Sequence, residues 1–237
     1  MMRTVDRILA TSDLHGQNLH FLNLLKKSQY QPDYDLLIVC GDLIDHGRKN
    51  LECLATCKDL QNKGAIFLKG NHEQFLEKSL LEMLHTDGWR TNPSEYLYNW
   101  FTYNGGAEMY AEIKDLSSAK LAEILAFVQS LPIYFKVGQF IFSHAGANPT
   151  KPIENNTEDE LVWMGETFPF RPSYPGKVLI FGHTPTWLFH PGSKNKKKTA
   201  HIWYDNTYKD KLCVDCGGVF GGRLAAIELP SYREFYE

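Results

Sequence analysis

The sequence predicts an α/β protein, and three observations carry that prediction. Short apolar runs alternate with longer amphipathic stretches along the chain. Several of the apolar runs end abruptly in a turn that holds Asp, His or Asn beside a small residue. The composition is that of an ordinary globular protein, with 43% hydrophobic and 22% charged residues over 237 positions. A chain of that length can bury a sizeable core without disulfides.

The elements follow in order. Arg7 to Ala10 reads as a first strand feeding a polar turn, after which Leu19, Leu22, Leu24 and Leu25 recur at helical spacing. Leu36–Cys40 is a continuous apolar run, expected to be a buried strand that stops at Gly41. A helix is predicted over Leu51–Gln61, stopped by Lys63-Gly64, then a strand at Ala65–Leu68 and a helix from Glu73 to Leu84. The segment from His85 to Tyr110 differs. It is rich in Trp, Tyr, Asn and Gly, contains Pro93, and holds no sustained period. It is expected to be a small inserted cap or lid (residues 85–115) within a single domain spanning 1–237. Most of its aromatic residues (Trp89, Tyr96, Tyr98, Trp100, Phe101, Tyr103) are expected to pack on the core. Helical periodicity returns over Leu116–Leu131 and ends at Pro132. Strands are then expected at Ile133–Val137, Phe140–Phe142, Val178–Phe181, Leu212–Val214 and Leu224–Leu229.

Charge and cysteine usage narrow the function classes. A formal charge of −3 gives no general attraction to nucleic acid or to an anionic membrane. Lys194, Lys196, Lys197 and Lys198 lie among Gly and Asn and read as a solvated loop. No window approaches the roughly 18–20 apolar residues of a membrane helix, and the N-terminal residues lack the apolar stretch of a signal peptide. The five cysteines, Cys40, Cys53, Cys57, Cys213 and Cys216, are therefore expected to be reduced thiols in a cytoplasmic protein. Cys213-x-x-Cys216 has no second Cys or His pair to complete a zinc site, so core packing is its expected role.

The chemistry lies in the turns. Asp13-x-His15-Gly16 follows the first strand, Gly41-Asp42 the second, and Gly70-Asn71-His72-Glu73 the third. Ser143-His144-Ala145-Gly146 and Gly182-His183-Thr184 each follow a later strand. Ligands of open α/β sheets gather at the carboxyl ends of strands, and glycine permits the close backbone approach such corners need. Taken singly, Asp13 or Asp42 reads equally well as a helix cap. His20, His46, His85, His190 and His201 read as surface, loop or partnered residues. Five donor-bearing turns in order point instead to a metal centre.

This ordered set resembles the calcineurin-like metallophosphoesterases of the phosphoprotein phosphatase type, whose pattern is GDxHG, GDxxDRG, GNHE, a later His-Ala or His-Gly, then GHT. The chain reads Ser12-Asp13-Leu14-His15-Gly16, Gly41-Asp42-Leu43-Ile44-Asp45-His46-Gly47, Gly70-Asn71-His72-Glu73, Ser143-His144-Ala145-Gly146 and Gly182-His183-Thr184. Asn104-Gly105-Gly106 and the tail from Asp215 to Leu224 are similar to its bacterial and phage serine/threonine phosphatase branch. The resemblance implies two packed mixed β-sheets flanked by helices (αββα). It implies Asp13 and His15 on a first divalent ion, Asn71, His144 and His183 on a second, and Asp42 bridging them. Carboxylate, imidazole and amide oxygen together suit manganese, with iron or zinc as alternatives, better than calcium. In such a site a metal-bridging hydroxide attacks phosphorus. His72, oriented by Asp45, is then expected to protonate the leaving oxygen.

Two positions depart from the pattern. His46 stands where the family has the DRG arginine, and Trp163-Met164-Gly165-Glu166 lacks the arginine of a W-x-R-E stretch. Neither His nor Gly reproduces the bidentate grip of Arg on phosphate. His46, Arg48 and Arg171 are the residues expected to face substrate instead. Three functions stay open at this level. They are a phosphomonoesterase acting on phosphoprotein or a small phosphate ester, a pyrophosphohydrolase similar to the symmetrical dinucleoside polyphosphate (diadenosine tetraphosphate) hydrolases, and a metal-binding relative without catalysis. Glu73 after Asn-His favours the first, and the retention of Asp45 and His72 weighs against the last. No nucleic-acid or membrane partner is expected.

Overall fold

Alternate residues of the first strand, β1 (Arg7–Thr11), face two different cores. Ile8 and Ala10 join one apolar cluster while Leu9 joins another, as the two-residue period of a strand requires. The same division repeats on β2 (Asp35–Val39), where Ile38 faces the first cluster and Leu37 and Val39 the second. The structure, a computed structural model, describes residues 7–163, 168–189 and 197–237.

β1 and β2 pair in parallel with Leu9 opposite Leu37, and β3 (Ile66–Phe67) continues parallel beyond β2. On the other side, β9 (Ala225–Leu229) and β10 (Arg233–Tyr236) add antiparallel neighbours, giving the order β10-β9-β1-β2-β3. A second sheet contains β4 (Tyr134–Val137), β5 (Phe140–Ser143), β6 (Val178–Phe181), β7 (Trp203–Tyr204) and β8 (Lys211–Cys213), in the order β4-β5-β6-β8-β7. Its β5, β6 and β8 are parallel, with antiparallel edges. Phe140, Phe142, Ile180 and Leu212 meet Ile8, Ala10, Ile38 and Ile227 between the sheets.

Helices cover both outer faces. α1 (Asn18–Lys27), α2 (Asn50–Asn62), α3 (Asn71–His85) and α6 (Ser118–Gln129) send Phe21, Leu54, Phe75 and Leu125 onto Leu9, Leu37 and Phe67. The second sheet's outer residues, Ile141, Leu179 and Phe181, pack under Leu161 of α7 (Glu158–Val162), Phe168 and Phe189. The fold is thus a pair of mixed sheets flanked by helices. Leu9 is fully buried, and cutting it back to Ala would cost about 2–5 kcal/mol and loosen the strand that carries Asp13 into the turn.

Residues 85–115 are more regular than their sequence suggests. They hold α4 (Glu95–Tyr103) and α5 (Gly106–Ile113), and Leu97, Trp100, Met109 and Ile113 enter the same core as α3 and α6. Asn104 and Gly105 separate the two helices, Gly105 in the left-handed conformation, so the period resets midway and neither helix is long enough to show it. β7, β10 and α7 were not legible either, being two, four and five residues long. All five cysteines are free and buried. Lys197 and Lys198 are exposed, whereas Lys194, Lys196 and His190 lie outside the described residues. Among the described residues no helix is long and apolar enough to cross a membrane.

Candidate active site

The parallel strands of both sheets point their carboxyl ends at one place. β1 ends into Asp13, β2 into Asp42, the turn after β3 into Asn71, β5 into His144 and β6 into His183. The turns interlock through main-chain bonds: Asp13 N–H to Gly41 O at 3.0 Å, His15 N–H to Asp42 O at 2.9 Å, and Gly182 N–H to His144 O at 2.7 Å. Asp13, His15, Asp42, Asp45, His46 and His183 all hold positive φ, between 44° and 71°. A left-handed non-glycine residue costs roughly 1–3 kcal/mol, so six in one site persist only because the surrounding packing dictates them. Gly70 and Gly182 allow this closeness. A Cβ on Gly70 would lie 2.2 Å from Asp42 Oδ1, and one on Gly182 would lie 2.2 Å from Asp13 Oδ2.

Two donor sets share one carboxylate. Asp42 Oδ2 is 3.7 Å from His15 Nε2, and Asp13 Oδ1 is 4.0 Å from the same nitrogen. Asp42 Oδ1 is 3.4 Å from His144 Nε2. Around that second nitrogen sit Asn71 Oδ1 at 2.8 Å and His183 Nδ1 at 3.1 Å. The far nitrogens are already committed, His15 Nδ1 to Ile44 O at 2.9 Å and His144 Nδ1 to Cys40 O at 2.7 Å. Those carbonyls accept only, so each Nδ1 carries the proton and each Nε2 turns a bare lone pair into the cluster.

The electrostatics agree. Burial, and then Asp215, pushes Asp13 well above the usual carboxylate range; burial, Asp13 and Glu73 do the same to Asp42. Burial, followed by neighbouring imidazoles, holds His15 and His144 well below the ordinary histidine value and His183 down to about 4. Neutral imidazoles and crowded, desolvated carboxylates are ligands short of positive charge. Divalent ions fit this donor set.

His72 stands beside it. Its Nδ1 is 2.8 Å from Asp45 Oδ2, and its Nε2 is 3.8 Å from Asp42 Oδ2. Burial, helped by His46, holds His72 down to about 3, and burial raises Asp45 well above the usual range. Both directions come from withdrawing charge from water, and any anion beside Nε2 would act the opposite way on the imidazole.

Aromatic rings border the cluster on two sides. His46 lies 5.1 Å from each of the His15, His72 and Phe220 rings. Trp163 lies 6.0 Å from His183 and donates from Nε1 to Gln74 Oε1 at 2.8 Å. Arg48 is exposed two residues beyond His46. Arg171 lines a cavity of about 460 Å³ with Ala147, Asn148, Phe168 and Glu160, and no Asp or His of the cluster shares that cavity. Residues 164–167, with Gly165, lie outside the described residues.

The residues that hold the turns were not legible as such in the sequence. Glu73 is fully buried and accepts the main-chain N–H groups of Asp42, Leu43 and Gly70, each at 2.8 Å. Its place three residues into α3 after Gly70 was the available signal, a capping-box glutamate. Asn50 Oδ1 accepts from Asp45 N–H at 2.8 Å, and Glu112 of α5 in turn accepts Asn50 N–H at 2.8 Å. Only folding brings Glu112 there.

Fold and donor cluster together define a metal-dependent phosphoesterase. The chain belongs to the calcineurin-like phosphoesterase family, whose profile matches residues 6–217. It is 26% identical over 92% of its length to Serine/threonine-protein phosphatase 1 of Salmonella typhimurium, covering 89% of that protein. It is 24% identical over 94% of its length to the asymmetrical bis(5'-nucleosyl)-tetraphosphatase PrpE of Bacillus velezensis, covering 88% of it. A solved serine/threonine phosphatase from Saccharomyces cerevisiae superposes with a TM-score of 0.62 at 16% identity, covering 100% of this chain and 80% of that one.

Proposed function

We propose that the chain is a two-metal phosphomonoesterase acting on phosphoprotein or a small phosphate ester. Asp13 and His15 would hold one ion, Asn71, His144 and His183 the other, and Asp42 both. The observation that carries this is the division of Asp42, one oxygen toward His15 and the other toward His144. Manganese, or alternatively iron or zinc, suits the mixed donors. Two such ions would supply Lewis-acid polarisation of the phosphoryl group and a water acidified to the neutral range.

The protein's own groups do the rest. His72 Nε2 faces the cluster while Nδ1 is anchored on Asp45. The substrate's phosphate charge beside Nε2 favours the imidazolium in the complex; the Nε2 proton then passes to the leaving oxygen as the ester P–O bond breaks onto that oxygen and a water-derived oxygen bonds phosphorus from the opposite side. His46 would meet substrate from the cluster's edge, and Arg48 and Arg171 from further out. Residues 85–115 serve as a cap within one domain. Five free buried thiols support a reducing, cytoplasmic setting, with no nucleic-acid or membrane partner.

A second reading, hydrolysis of dinucleoside polyphosphates, is favoured by one observation. A relative named for that activity, though for asymmetrical cleavage, is nearly as similar to this chain as the protein phosphatase is, at 24% against 26% identity. Turnover of para-nitrophenyl phosphate and a phosphoserine peptide is measured against that of diadenosine tetraphosphate, each with manganese. Faster release from the monoesters is expected. A preference of tenfold or more for the dinucleotide would replace the first reading with the second, and no turnover of any would refute both.

A further inference from the structure

Trp100 lies on α4, in the segment between α3 and α6, and is fully buried. Its indole Nε1–H donates to Asp45 Oδ2 at 2.8 Å. That oxygen is the one that meets His72 Nδ1, also at 2.8 Å, whereas the other carboxylate oxygen, Oδ1, is buried with no hydrogen-bond partner. Both donors thus act on a single oxygen, one from the histidine and one from the inserted segment. The backbone is shaped for this approach. A Cβ on Gly106 would sit 2.4 Å from the Trp100 ring, and one on Gly105 would sit 2.6 Å from His46 Nδ1. Gly105 O also accepts from His46 N–H at 3.3 Å. The Asn104-Gly105-Gly106 motif therefore permits α4 to lie directly against the Asp45-His46 turn.

We propose that Trp100 is a positioning residue for proton delivery, acting through Asp45 on His72; this rests on the role given to His72 above. A carboxylate held by one donor can turn about its Cβ–Cγ bond and exchange its oxygens. A second, rigid donor on the same oxygen fixes the plane of Asp45, and with it the ring angle of His72 and the direction in which Nε2 points. The inserted segment is in this way part of the catalytic apparatus without touching substrate.

The test is a double-mutant cycle in the manganese-loaded full chain, read with an alkyl phosphate and with para-nitrophenyl phosphate. His72→Asn is measured first; a silent substitution would sink the general-acid role and this inference with it, before the tryptophan is altered. Given a loss there, Trp100→Phe keeps the ring and deletes the N–H. It is expected to lower kcat about tenfold for the alkyl ester, with less effect on the aryl ester and with KM and metal content unchanged. In the His72→Asn background the same change should have almost no further effect. Equal losses on both substrates, or a tenfold loss persisting without His72, would overturn the inference while leaving His72 its role. Should Trp100→Phe not fold, the Trp100 indole N–H resonance decides the matter. It is expected to shift in Asp45→Asn, and an unmoved signal would show that the bond is absent.

Discussion

His144 Nε2 lies 2.8 Å from Asn71 Oδ1, and with His144 Nδ1 bonded to Cys40 O neither atom has a proton to offer the other. Two lone pairs at that distance repel unless both are turned on one shared cation. With the amide in this orientation, His183 Nδ1 adds a third donor atom at 2.9 Å from the same oxygen.

Metal should therefore stabilise the fold as well as activate it. Saturation with manganese is expected to load two ions per chain and to raise the melting temperature. An ion at a thousandfold excess over its Kd contributes about 4.1 kcal/mol. Asp42→Asn should lower the occupancy of both sites together, as read by metal analysis after gel filtration. Loss of one ion with full retention of the other would show that Asp42 does not serve both.

His72→Asn is expected to lower kcat by about 10²–10⁴-fold while leaving the metal content intact. The loss should be largest for alkyl phosphates, whose leaving oxygen needs a proton, and smaller for para-nitrophenyl phosphate. If alkyl and aryl substrates suffer alike, His72 positions the phosphate instead of delivering a proton.

Glu73→Gln keeps the size of a side chain that is fully buried against three main-chain donors. The amide offers one acceptor oxygen and turns an N–H₂ toward donors. The expected destabilisation is roughly 2–4 kcal/mol, a fall of roughly 5–15 °C in melting temperature. Since Glu73 also fixes the main chain at Asp42, manganese affinity should drop as well. Calorimetry showing an unchanged Tm would mean that the three bonds are dispensable.

His46→Arg should lower KM for phosphomonoesters by about three- to tenfold, the effect of one charge-assisted contact of order 1 kcal/mol. Residue 46 lies against His15 and His72, whereas Arg48 is exposed. Arg48→Ala, which removes only an outlying contact with substrate, should accordingly raise KM by no more than about twofold. A severe loss in Arg48→Ala, with no gain in His46→Arg, would move the phosphate grip to Arg48.

The gathering of the candidate site's residues was readable because they stand at fixed spacing at strand ends. Asp13, His15, Asp42, Asn71, His144 and His183 each stand at a strand end marked by an apolar run stopping at a polar turn, and that pattern is local. Most strands of the two sheets were legible for the same reason, with Val178–Phe181 expected and found, while the short β7 and β10 were not. Which oxygen of Asp42 faces which histidine, the left-handed turns, and the meeting of Trp100 and Glu112 with the Asp45 loop are different in kind. They depend on groups distant in sequence, Trp100 lying 55 positions from Asp45 and Glu112 lying 62 from Asn50. No local preference selects a strained backbone or such a pairing. The sequence by itself determined which donors arrive at the strand ends, because strand period and turn chemistry act over a few residues. Only the tertiary structure decided how those donors are aimed, because their orientation is set by buried hydrogen bonds that exist once the sheets and helices have closed on each other.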